Sequence, residues 1–165
     1  MGSGIAEVAS RAGYEVMLRS RRQESADATV AKMDSSLARA VSKGRLTETE
    51  HAEILGRVTA TDTLADLADC DLVIESVVED KATKLALFAD LDKAVGDDAI
   101  LATNTSTLPV TEMAMATKRP GKVCGIHFFN PAGAMKLVEV VRPLTTDDAT
   151  IEAALEFARK CGKEP

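Results

Sequence analysis

Only two histidines occur in the 165 residues, and one of them, His127, lies in the run Ile126-His127-Phe128-Phe129-Asn130-Pro131. An imidazole is the side chain best suited to moving protons near neutral pH. The apolar residues before it read as a strand, and Asn130-Pro131 turns the chain at the strand's carboxyl end. That end is where open α/β sheets bind ligands, so His127 and Asn130 are expected beside a crevice. A lone histidine on an apolar strand is also at home as a satisfied structural residue. Glu139 bears on the choice. It stands between Val138 and Val140 in a second apolar run, where an unpaired carboxylate is costly to bury. A turn over residues 131–134 brings that run back beside His127, and a carboxylate that orients an imidazole makes it a competent general base. The period of two equally allows Glu139 to face solvent.

Four further clusters lie at helix starts or strand ends. Asn104-Thr105-Ser106 can hydrogen-bond a ligand or cap the helix that begins near Pro109. Glu75, Glu79 and Lys84 surround another strand-to-helix junction, where Glu79 and Asp80 need do no more than complement the helix dipole. Met1-Gly2-Ser3-Gly4 opens an apolar helix. Glycines there let a phosphate approach free backbone N–H groups, although small residues also serve as ordinary caps. Ser20-Arg21-Arg22 follows the first strand, where a dinucleotide-binding unit usually has an acidic residue for the ribose hydroxyls. A hydroxyl and two guanidinium groups suit a 2′-phosphate instead, or a solvated turn. His51 falls on a polar helix face and reads as a surface residue.

The elements that must position these residues alternate between helix and strand. Gly4–Ala12 reads as a helix with Ile5, Val8 and Ala9 on one face and Gly13 as its stop. Tyr14–Leu18 reads as a short strand. Between Gln23 and Lys43, Val30, Met33, Leu37 and Val41 recur at spacings of three and four, one face of a long helix. Thr47 and Glu50 form a capping-box pair for a second helix reaching Leu55, so Lys43-Gly44-Arg45 turns between two antiparallel helices. Arg57–Ala60 reads as a short strand, and Leu72-Val73-Ile74 with Val77-Val78 as a clearer one interrupted by Glu75. Lys81–Val95 reads as a helix with Leu85, Phe88 and Leu91 inward. Ala99–Ala102, Val123–Phe129 and Leu137–Val141 read as strands, and Asp147–Lys160 as a closing helix with Gly162 past its end. Strands separated by helices imply βαβ units and a parallel sheet.

Apolar residues make up 45% and charged residues 28% of the chain, which suits one globular domain and excludes disorder or low complexity. Aromatics are 3%, without Trp, and the formal charge is −6. Neither favours a base-stacking platform or a polyanion-binding face, so no nucleic-acid partner is expected. No run nears the ~18 apolar residues of a membrane span, and the first residues lack the basic and apolar regions of a signal peptide. Cys70, Cys124 and Cys161 are an odd, widely spaced set. No metal site is expected from them. A reducing, cytoplasmic setting fits, with the thiols as small core residues.

Taken in order, Met1-Gly2-Ser3-Gly4-Ile5-Ala6, Asp71-Leu72-Val73-Ile74-Glu75, Val78-Glu79-Asp80, Ala102-Thr103-Asn104-Thr105-Ser106, His127-Phe128-Phe129-Asn130-Pro131 and Met135-Lys136-Leu137-Val138-Glu139 carry a resemblance. The chain resembles the NAD(P)-dependent L-3-hydroxyacyl-CoA dehydrogenases, in particular their bacterial 3-hydroxybutyryl-CoA branch, over essentially its whole length. The resemblance implies that His127 is the catalytic acid/base and Glu139 its orienting partner. It implies that Ser106 and Asn130 flank the reacting carbon and the nicotinamide, that Gly2, Glu79 and Lys84 line the cofactor site, and that Ser36 and Lys43 contact coenzyme A. NAD or NADP is the implied cofactor, with Ser20, Arg21 and Arg22 favouring NADP. An acyl-CoA is the implied substrate.

The sequence departs from the family in several places. Met1-Gly2 coincides with the last two positions of the family's glycine fingerprint. Ser20 replaces the usual acidic residue, and Gly133 stands where proline is frequent. Residues 1–165 are therefore expected to form an α/β, Rossmann-type, doubly wound dinucleotide-binding domain, incomplete at its N-terminus. Its mainly parallel sheet lacks the first strand and carries an inserted helix pair. The family's helical domain, through which a full-length form homodimerises, is expected to be absent. The chain alone is then an inactive fragment of an oxidoreductase of fatty-acid or butanoate metabolism. The rival expectation is a non-catalytic acyl-CoA- or nucleotide-binding remnant.

Overall fold

A computed structural model describes residues 1–165. The first helix, α1 (Gly2–Arg11), begins two residues earlier than the apolar spacing suggests and ends before Gly13, whose φ of 88° few other residues adopt. β1 (Val16–Arg19) leads into α2 (Gln23–Ser42) and α3 (Glu48–Gly56), then β2 (Val58–Thr61). Thr47 and Glu50 close the expected capping box at the start of α3. Met33 and Leu37 of α2 and Ile54 of α3 form a small core that holds the helix pair together. His51 is not a free surface residue. Its Nε2 lies 2.7 Å from Asp34 Oδ1, a tie between α3 and α2 that links residues 17 apart.

A 3₁₀ turn (Leu64–Leu67), which the sequence reading lacked, precedes β3 (Leu72–Glu75). Glu75 does not interrupt this strand but ends it. Val77 and Val78 lie beyond it, exposed. α4 (Lys81–Ala94), β4 (Ile100–Thr103), α5 (Val110–Met115), β5 (Val123–Phe128), β6 (Val138–Val141) and α6 (Asp148–Lys160) follow.

The strands form two sheets, β1-β2 and β3-β4-β5-β6, and only the β5–β6 pairing is antiparallel. β1 and β3 each keep one edge unpaired. The sheets nevertheless lie in one layer, because their alternate residues enter the same two cores. Val16, Ile74, Ala102, Cys124 and Ile126 meet α1 and α6 on one face. Met17, Val73, Leu101 and Val123 meet α4 and α5 on the other. This is the two-faced burial expected of parallel strands, and it is a doubly wound α/β arrangement. No helix is long and apolar enough to cross a membrane.

Candidate active site

The carboxyl ends of β3, β4 and β5, where parallel sheets collect ligands, carry the polar clusters. β6 runs back antiparallel to β5 with His127 opposite Glu139 and Gly125 opposite Val141. Gly125 permits this register: a Cβ there would sit 2.7 Å from the Val141 Cβ. The turn between the strands thus brings Glu139 back beside His127 as expected, but the carboxylate is not buried there and pairs with the ring from an exposed position. The Glu139 side chain is 54% exposed, and its Oε2 lies 2.8 Å from His127 Nδ1. Ser106 Oγ lies 3.0 Å from Nε2 of the same ring. An ionised carboxylate only accepts, so Nδ1–H donates to Glu139 and Nε2 is left to accept the Ser106 hydroxyl proton. The imidazole side chain is 13% exposed and stacks at an angle on Phe129, ring centres 4.6 Å apart. The geometry is that of a positioned base with an orienting carboxylate behind it.

Glu75 is the hub of a second cluster. Its side chain is fully buried and accepts Lys84 Nζ at 2.7 and 2.9 Å and Thr103 Oγ1 at 2.8 Å. Lys84, 1% exposed, also meets Glu79 Oε2 at 3.2 Å. Glu79 accepts the Thr105 hydroxyl and, at 3.2 Å, the Ser106 backbone N–H. Partial burial pushes the Glu79 carboxyl upward, but the hydrogen bonds from Thr105, Lys84 and Ser106 outweigh it and hold the pKa below the usual range. The two clusters therefore meet at Ser106. Asp80 caps α4 by accepting Thr83 N–H at 2.8 Å, so it, rather than Glu79, serves the helix start.

The backbone N–H groups of Gly2, Ser3 and Gly4 have no partner within the chain. This end of α1 sits against Ser76 after β3 and Ala132 after β5. A Cβ on Gly4 would lie 3.1 Å from that of Ala132. Ser20 is half-buried at the end of β1 and donates its N–H to Thr61 at 3.0 Å, while the Arg21 and Arg22 side chains are exposed and unbonded. Asn130 is exposed just past β5.

Ser36 and Lys43, distant from His127 in sequence, line one cavity of about 750 Å³ between α1, the helix pair and the end of α6. Arg11, Arg39, Lys136 and Lys160 join them there. The sequence reading missed these four, because cations scattered over four segments carry no local spacing. It also missed Lys163, buried at 9% exposure, whose ammonium donates to the carbonyls of Ala132 and Met135. The cysteines are free. Burial pushes the Cys124 thiol up to about 12 and that of Cys161 to about 11, so neither is a nucleophile at neutral pH. No three His, Cys, Asp or Glu side chains gather as a metal site.

Comparison with known proteins bears on this geometry. The family described as "3-hydroxyacyl-CoA dehydrogenase, NAD binding domain" matches residues 1–165. A 3-hydroxybutyryl-CoA dehydrogenase of Mycobacterium tuberculosis is 50% identical over 159 residues, 96% of this chain and 56% of that protein. One from Clostridioides difficile is 44% identical over 100% of this chain and 59% of its own. The crystal structure of a Ralstonia eutropha (S)-3-hydroxybutyryl-CoA dehydrogenase superposes with a TM-score of 0.97 at 36% identity, covering 100% of this chain and 58% of that one. The chain thus spans a little over half the length of these two curated relatives.

Proposed function

This chain belongs to the family of 3-hydroxyacyl-CoA dehydrogenase NAD-binding domains, and we propose that the protein carrying it interconverts 3-hydroxyacyl-CoA and 3-oxoacyl-CoA with a nicotinamide cofactor, in fatty-acid or butanoate metabolism. The observation that carries this reading is the Glu139–His127–Ser106 relay, 2.8 and 3.0 Å at its two bonds.

The cofactor site fits its residues. The free N–H groups of Gly2, Ser3 and Gly4 suit a pyrophosphate. Glu79, Ser106 and Asn130 stand at the strand ends beside which the nicotinamide ring would lie, whereas Lys84, expected there too, is buried at 1% exposure and acts on the site only by holding Glu79 at 3.2 Å. When bound, the ring supplies hydride acceptance or donation at the substrate's C3. The protein's own work is to move the proton. His127 Nε2 takes it from the C3 hydroxyl in oxidation and returns it to the developing alkoxide in reduction. Glu139 stabilises the imidazolium formed between, and the Ser106 hydroxyl holds the substrate oxygen beside Nε2. Ser36 and Lys43 bind the coenzyme A portion in the 750 Å³ cavity.

NAD(H) is the cofactor of this family's domain. We read a preference for NADP(H) here, because Ser20 removes the carboxylate that repels a 2′-phosphate and the unbonded Arg21 and Arg22 are free to clamp one. The free thiols suit a cytoplasmic protein, and by family likeness the whole protein is read as a homodimer.

The test is reduction of acetoacetyl-CoA, followed at the nicotinamide absorbance, with wild type and His127→Gln compared. Turnover lost in the variant with cofactor affinity retained supports the reading. Acyl-CoA binding without turnover in wild type would favour a non-catalytic binding module instead.

A further inference from the structure

We propose that Asn104 is a positioning residue for the proton relay: its side-chain carbonyl holds the end of β5, and with it His127, against the turn that carries Ser106. The proposal rests on the reading of His127 as the proton carrier. Parallel pairing of β4 with β5 stops at Thr103 opposite Gly125. Beyond that pair β4 parts from β5, and the ladder no longer sets the distance between these two chains.

Asn104 Oδ1 takes over by accepting the backbone N–H of Phe128, the neighbour of His127, at 2.7 Å. Its own backbone N–H donates to the Glu75 carbonyl on β3 at 2.8 Å. One residue therefore ties the carboxyl ends of three strands.

The two sides of this tie differ. Towards β3 there is support from Thr103 to Glu75, from Thr105 to Glu79, and from Ser106 N–H to Glu79. Towards β5 the one other bond past the ladder is Ser106 to His127. That bond must reverse its donor when the imidazole gains a proton, because both ring nitrogens then donate. The amide-to-backbone bond of Asn104 does not titrate. It keeps His127 at a fixed distance from Ser106, and so from the substrate oxygen that Ser106 holds, while the proton moves between that oxygen and Nε2, and a small misplacement of reacting groups is enough to cost rate.

The experiment compares Asn104→Leu, which removes the acceptor at similar size, with Asn104→Asp, which keeps it, in the protein carrying this chain. In Asn104→Leu, kcat for acetoacetyl-CoA reduction is expected to fall at least tenfold while KM for the reduced nicotinamide cofactor and for acetoacetyl-CoA stays within threefold. Asn104→Asp should recover most of the loss. Independently of turnover, hydrogen exchange at the Phe128 amide should quicken at least tenfold in Asn104→Leu, and the His127 Nε2 resonance should shift. Both should return towards wild type in Asn104→Asp, with the Val123 and Cys124 amides unchanged throughout. If Asn104→Leu does not fold, Asn104→Ala carries the same comparison. An unchanged Phe128 amide and an unchanged His127 resonance overturn the proposal whatever the turnover, as does Asn104→Asp behaving like Asn104→Leu. A wild type that does not reduce acetoacetyl-CoA sinks the dehydrogenase reading, and the two resonances still decide the positioning role.

Discussion

At the scale of single residues, the relay makes two separable demands. His127 moves the proton, whereas Glu139 fixes the tautomer and stabilises the cation. On the proposed reaction, His127→Gln is expected to lower kcat on the order of 10²–10⁴-fold with cofactor binding intact, measured by steady-state kinetics and by nicotinamide fluorescence titration. Glu139→Gln should cost less, because the amide oxygen still accepts the Nδ1–H bond seen at 2.8 Å but no longer stabilises an imidazolium. Equal kcat in wild type and His127→Gln would remove the assignment. A second residue-scale prediction concerns Ser20, Arg21 and Arg22. With the two guanidinium groups unengaged at the end of β1, kcat/KM is expected to favour NADPH. The double variant Ser20→Asp/Arg21→Ile should swing the ratio towards NADH by at least tenfold, about 1.4 kcal/mol. A wild type that prefers NADH tenfold would show that the arginines remain in solvent.

At the scale of elements, the β5–β6 pairing delivers Glu139 to His127, and Gly125 permits its close approach. Gly125→Ala places a Cβ about where the Val141 side chain already stands, 2.7 Å from its Cβ. Overpacking of this kind typically costs about 1–3 kcal/mol. The expected result is a lower urea midpoint together with reduced turnover, since β6 must yield and Glu139 moves with it. The β4–α4 side of the domain is closed differently. Arg119 Nε bonds Asp92 Oδ1 at 2.8 Å, with side chains 11% and 6% exposed, and its other nitrogens cover the carbonyls of Asp92, Val95 and Gly96 at the end of α4. Burial raises the Asp92 carboxyl, but the Lys118 N–H and Arg119 outweigh it, and the net pKa is lowered. A depressed folded pKa contributes stability above the unfolded value of about 3.9 and loses it as pH falls through the folded value. Arg119→Met is therefore expected to cost roughly 3–5 kcal/mol at pH 7 by stranding a buried carboxylate. The difference from wild type should shrink below about pH 3.9, a trend that urea melts across pH would reveal.

At the scale of the whole molecule, the helix pair, α1, the loop after β5 and the end of α6 enclose one cationic cavity in a chain of net charge −6. Phosphates of a CoA thioester would be held there by charge more than by shape. Lys43→Ala is expected to raise KM for acetoacetyl-CoA several-fold with kcat little changed, and the effect should weaken as salt rises past the screening length of roughly 8 Å at 0.15 M. A thioester lacking the nucleotide portion should respond to neither change. Equal sensitivity in both substrates would mean that the cavity serves something else.

The sequence by itself determined the alternation of helix and strand, because apolar periods of 3.6 and two are local properties. It singled out His127 and the Asn104–Ser106 cluster by their strand-end positions and Glu139 as a carboxylate inside an apolar run, while the role of Ser106 came from the family resemblance. The Thr47–Glu50 cap was equally legible, since its partners lie three residues apart. What it left open were the questions set by distance along the chain. Whether Glu139 faced solvent or His127 depended on a register across 12 residues. Lys84 as a buried partner of Glu75, the His51–Asp34 tie and the clasp of Asn104 on Phe128 depended on which strand ends and helix faces meet. Burial of a charge is decided by what packs over it, and hydrogen bonds between strand ends by where each ladder stops. Neither quantity is encoded in residue type or spacing, so only the assembled sheet could settle them.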